Sequence, residues 1–152
     1  MTLKTTPVRA LLLALALALT SVPVAAHAAD PFEPRPTDDP AMVTAWEAWE
    51  ATGIDDYTLT VERSCFCPDL IVIRTVVRNG EVRKVTRGDR RLEDRRGFTM
   101  DRLFTKIRKD TETSDRVEVT YTPRGVPKSI IVDPIELATD EESYYTVTLT
   151  RL

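Results

Sequence analysis

Residues 70–86, LIVIRTVVRNGEVRKVT, spell out a β-hairpin. Leu70 to Arg78 is rich in β-branched residues, and Asn79-Gly80 offers the two positive-φ positions that a type I′ turn requires. Glu81 to Thr86 returns as the partner strand, with Val77 opposite Val82 as a cross-strand apolar pair. An antiparallel pair at the middle of the chain makes the remaining segments candidates for one sheet and the helices that cover it.

Upstream, Tyr57, Leu59 and Val61 alternate with Thr58, Thr60 and Glu62, the pattern of a half-buried strand. Before that strand the period is helical. Asp39 is the expected N-cap, Pro40 occupies the first turn, Met42, Ala45, Trp46 and Trp49 share a face, and Gly53 ends the helix. The two tryptophans read as core anchors. Downstream, residues 83–96 carry seven basic and three acidic side chains. The interleaved signs and lack of aromatics make this a solvated loop or strand edge rather than a basic docking patch.

A second helix begins at Thr99, with Asp101 at the positive end of its dipole and Met100, Leu103, Phe104 and Ile107 on one stripe. Three strands follow: Val117, Val119 and Tyr121 alternate, Pro123-Arg124-Gly125 turns the chain into Lys128–Asp133, and Tyr145, Val147 and Leu149 alternate near residue 150. The predicted fold is α+β, with two helices on one face of an antiparallel sheet of about six strands, in the order α-βββ-α-βββ.

The first residues read as an export signal. Lys4 and Arg9 precede an Ala/Leu run from Ala10 to Leu19, and Ala26-His27-Ala28 fits an A-x-A cleavage site. The run is shorter than the roughly 20 residues of a permanent membrane span. Residues 1–28 are therefore expected to be a signal peptide, 29–40 a Pro-rich spacer, and 41–152 a single α+β domain. The expected location is secreted or periplasmic, with no integral span. Cleavage would remove His27, the only histidine, and take the formal net charge from −3 to −5. Without imidazole there is no Ser-His-Asp or Cys-His set, and an acidic chain is a poor nucleic-acid ligand.

That leaves Cys65 and Cys67. In an extended strand, residues i and i+2 stand about 6.6–6.8 Å apart, beyond the roughly 5.5–6 Å that disulfides prefer. A bond between them needs the chain compressed at Phe66, and Pro68 ends the strand. A strand-shaping disulfide, two free or buried thiols, a redox dithiol favoured by Arg63, a two-coordinate copper(I) site and pairing between chains all remain open. Asp133 with Asp140-Glu141-Glu142 has the oxygen chemistry for calcium but not EF-hand spacing, and reads as an acidic turn.

Taken together, Arg63-Ser64-Cys65-Phe66-Cys67, the Asn79-Gly80 hairpin, the helix start Thr99-Met100-Asp101-Arg102-Leu103-Phe104, Tyr121 with Gly125-Val126-Pro127 and Asp133, and Asp140-Glu141 with Tyr144 resemble a family of exported bacterial domains of unknown function. Many of those relatives look like lipoproteins, whereas this chain has no cysteine at its cleavage site. The resemblance implies a fold and a compartment, not an activity. The expected role is a non-enzymatic cell-envelope domain that binds a protein or small ligand, with Phe66, Arg63 and Tyr144 as candidate surface residues and no cofactor. The alternative is thiol redox or copper(I) handling by Cys65 and Cys67.

Overall fold

The computed structural model describes residues 31–138 and 140–152. The expected signal peptide lies outside them. Helix α1 spans Pro40–Glu50, followed by strands β1 (Tyr57–Cys65), β2 (Ile71–Arg78), β3 (Glu81–Arg87) and β4 (Arg90–Leu92), and by a single 3-10 turn at Asp94–Arg96. Helix α2 (Met100–Thr113) and strands β5 (Arg116–Tyr121), β6 (Pro127–Asp133) and β7 (Ser143–Arg151) complete the chain. The class is α+β and the sheet fully antiparallel, but it has seven strands in the order β4-β3-β2-β1-β7-β6-β5. The extra strand is β4, where Arg91 sits opposite Thr86 and Leu92 opposite Val85. Its flanking arginines hid a short ladder inside the basic run.

The hairpin forms as read. Asn79 and Gly80 both have positive φ, and Val77 faces Val82 beside a register shift. Both helix starts are capped as expected. The Asp39 carboxylate accepts from the Ala41 and Met42 amides, and the Thr99 hydroxyl accepts from Arg102 N–H.

One sheet face is covered. Tyr57, Leu59 and Val61 of β1, Val77 of β2, Tyr145 and Val147 of β7, and Ile130 and Val132 of β6 all join a single buried cluster with α1 and α2. Helix α1 presents Met42, Ala45, Trp46 and Trp49; helix α2 presents Met100, Leu103, Phe104 and Ile107. The opposite face carries Thr60 and Glu62 of β1 beside Thr148 and Thr146 of β7, with Val72 and Arg74 of β2 across from them. No helix among the described residues is long and apolar enough to cross a membrane.

The spacer expectation fails at Phe32. Its ring is buried, 5.0 Å from Trp46 and 5.4 Å from Phe104. Its amide donates to the Asp101 carboxylate at 2.8 Å. Further along the same segment, Asp38 receives the Arg108 guanidinium of α2 at 2.6 and 2.7 Å, while that guanidinium also donates to the Glu33 carbonyl and lies 4.1 Å from the Phe32 ring centroid. The stretch turns at Pro36-Thr37, where the Asp38 amide donates to the Arg35 carbonyl, and one aromatic and one carboxylate tie it to α2.

Tyr57 links the sheet to the start of α2, because its buried hydroxyl accepts from the Met100 amide at 3.1 Å. Burial pushes its pKa up to about 12 from an ordinary 10. A raised pKa disfavours the ionised form in the fold, so this contribution is intact below pH 10 and is lost as pH climbs towards 12. At about 1.4 kcal/mol per unit, urea midpoints should hold to pH 9 and then fall by the equivalent of about 2–3 kcal/mol. Tyr57→Phe should show a smaller alkaline loss; an unchanged profile would mean that another group governs it.

Candidate functional site

Strand β1 ends at Cys65, opposite Ser143 at the start of β7. Cys65 and Cys67 form a disulfide with their Cα atoms 5.0 Å apart, well inside the extended-strand spacing, so the backbone is compressed at Phe66 as a two-residue bridge demands. The bridge is solvent-accessible, Cys67 more than Cys65. Both sulfurs are consumed in this bond, so a copper(I) ion or a thiolate nucleophile would first require its reduction.

The bridge holds out an apolar side chain. Phe66 is 82% exposed, and Leu70 ends the same turn. The β6–β7 connection returns to this end of the sheet, because Val132 and Cys65 both pair with Ser143. It carries Ile135, Leu137 (98% exposed) and then Tyr144, which lies opposite both Ser64 and Ile131. Among the described residues six large hydrophobics are exposed; five of them gather here and only Leu152 lies elsewhere. Residues 64–70 and 134–142 hold five carboxylates, Asp69, Glu136, Asp140, Glu141 and Glu142, and no Lys or Arg. The result is an apolar tip with an acidic surround.

The candidate surface residues divide between the two faces of the sheet. Tyr144 and Ser64 share the open face, and Phe66 lies just past the end of β1 in the compressed turn. Arg63 points to the helix-covered face instead. Its guanidinium lies 5.9 Å from the Tyr145 ring centroid and donates to Ser143 Oγ at 3.2 Å. Lys106 of α2 approaches the same ring at 4.3 Å. Arg63 therefore braces the start of β7 rather than joining Phe66, which strand parity with Tyr57, Leu59 and Val61 already implied.

Ile135 and Leu137 escaped the sequence reading, and Leu70, read as the start of the strand, lies just outside β2. Two aliphatics spaced i, i+2 in an acidic loop after Pro134 are the available signal. The acidic turn at Asp140-Glu141-Glu142 does not gather round Asp133. Among the described residues no group of three or more Cys, His, Asp or Glu is placed to hold a metal ion.

No curated protein and no solved structure matches the sequence. A family model does: residues 41–151 match the model described as a family of unknown function, DUF6174, and the chain belongs to that family.

Proposed function

We propose that this protein is a non-enzymatic, exported cell-envelope domain that docks a partner protein through the tip formed by Phe66, Leu70, Ile135, Leu137 and Tyr144. The observation that carries the reading is the gathering of five exposed large hydrophobics on two loops and the start of β7 at one end of the sheet. Exposed apolar clusters with a polar rim mark interaction sites, and aromatics dominate such interfaces energetically. The five carboxylates and absent cations in these loops call for a partner with an apolar socket ringed by Lys or Arg. The leader-like first 28 residues and the disulfide agree with an oxidising compartment outside the cytoplasm.

A photo-crosslinking amino acid at position 66, introduced in the producing cell, should trap one dominant protein that the same label at Thr60 does not. With that protein purified, Phe66→Ser and Tyr144→Ser should each weaken binding by about 2 kcal/mol, roughly thirtyfold in Kd. Thermal midpoints should stay within about 2 °C, since both side chains are exposed. Unchanged affinity in both variants would end the proposal.

The exposure of the Cys65–Cys67 bond supports a second reading, thiol exchange or copper(I) handling. Cys65→Ser separates the two. It should leave stability nearly unaltered, because so small a ring restrains little unfolded-chain entropy, and weaken the partner complex only as far as Phe66 is misdirected. Loss of electron transfer or of copper(I) competition in this variant would favour the second reading.

A further inference from the structure

The two edges of the sheet are finished differently. At one, β4 is three residues long and carries exposed Arg90 and Arg91, the short charged edge that discourages strand addition. At the other, β5 runs six residues and pairs only with β6 among the described residues, so its outer row of backbone groups faces no strand. Beside that row lies a cleft of about 460 Å³, lined by β5, α2, the start of α1 and the segment before it, with nothing from β6 or β7. It therefore sits at the rim of the sheet and not over its middle. Its volume falls within the roughly 300–1,000 Å³ typical of ligand sites.

The cleft takes its apolar floor from Val117, Val119 and Tyr121, the alternate residues of β5, together with Met42 and Ile107. Its polar lining holds Asp38, Asp39 and Glu112 against one cation, Arg108. Arg108 is committed to Asp38 and the exposed Arg35 stands 3.6 Å from Glu112, so the surplus at the mouth is one negative charge, on Asp39. Burial raises the pKa of the Tyr121 phenol, which keeps it a neutral hydrogen-bond donor at any physiological pH.

An unpaired strand edge flush with a cleft that its own inward side chains floor is the geometry of strand addition. Main-chain hydrogen bonds supply affinity there, and pockets for alternate side chains supply selectivity. We infer that β5 accepts an extended peptide segment of a partner protein as an eighth strand, with apolar side chains at alternate positions entering the cleft and a Lys or Arg meeting Asp39. A small molecule would use the floor but leave the free edge idle. This site is separate from the apolar tip, at a different strand and face, and either can fail without the other.

The test is a display library of random hexapeptides selected in parallel on the purified protein and on Val119→Asp. The expected winners on the parent alternate apolar residues, carry Lys or Arg, and bind at least tenfold more weakly to Val119→Asp. Amide resonances of Arg116–Tyr121 should shift on binding. Backbone N-methylation of a winner at alternate positions should abolish binding for one parity and spare the other, a readout on the parent that stands even if Val119→Asp does not fold. Identical winners on both proteins, tolerance of N-methylation at either parity, or a dimer in which β5 pairs with the β5 of a second copy would each overturn the inference.

Discussion

Gly125→Ala is expected to be the most damaging single-methyl change in this protein. Gly125 sits in the β5–β6 turn at φ +76°, and a Cβ there would stand 1.8 Å from the Ala45 carbonyl oxygen and 2.7 Å from the Trp49 amide nitrogen. Both are backbone atoms of α1, so no side-chain rotation relieves the collision. The helix must lift, and Trp46 and Trp49 leave the core with it. A left-handed residue costs about 1–2 kcal/mol, and overpacking adds about 1–3 kcal/mol. The variant should lose about 3–5 kcal/mol, lowering the thermal midpoint by roughly 15 °C or preventing folding. Gly80→Ala is the control: its φ is +71° with nothing within 4 Å, so it should cost only about 1 kcal/mol of backbone strain. Equal losses in urea titrations of the two variants would show that helix contact is not what Gly125 protects.

The second large effect is expected at Arg108→Ala. The Arg108 and Asp38 side chains are 10% and 3% exposed, and the fork between them is bidentate. Removing the guanidinium strands a sheltered carboxylate, strips the Glu33 carbonyl of its donor and uncovers the Phe32 ring. Breaking one side of a buried pair costs about 3–5 kcal/mol. Arg108→Lys should recover part of this, since the charge stays but the fork does not. The Arg108 guanidinium also holds the Asp38 carboxyl below its ordinary 3.8. A depressed pKa gives stability that is present above pH 3.8 and is lost as pH falls through the folded value. Arg108→Ala should lose that acid-side slope as well as midpoint stability. Were residues 31–39 a loose tether, the substitution would stay within about 0.5 kcal/mol.

That comparison also shows where the sequence was legible. Helical stripes named every buried position of α1, and in α2 missed only Arg108, because periodicity scores a cation as surface. Phe32 was missed for the same kind of reason, being one aromatic among prolines with no period to reveal its side. The family match begins at residue 41, so this part of the core lies upstream of it. Alternation found β1 and β7 but not their adjacency, which depends on long-range pairing that no local pattern encodes. At the tip, Phe66 stood out because two cysteines frame it, whereas Leu70 read as part of the following strand and Ile135 and Leu137 resembled ordinary loop residues.

The strand order has a bearing on biogenesis. Strand β1 pairs with β7 over nine positions, from Tyr57–Arg151 to Cys65–Ser143, and this seam joins the two halves of the sheet. In a chain made N-terminus first, β1 is complete about eighty residues before β7, the neighbour on its other flank, is made. Until then one flank of what becomes the middle of the sheet is unzipped, and high contact order slows its closure. Any stall before residue 143 leaves a half-sheet with an open flank, a target for chaperones and proteases.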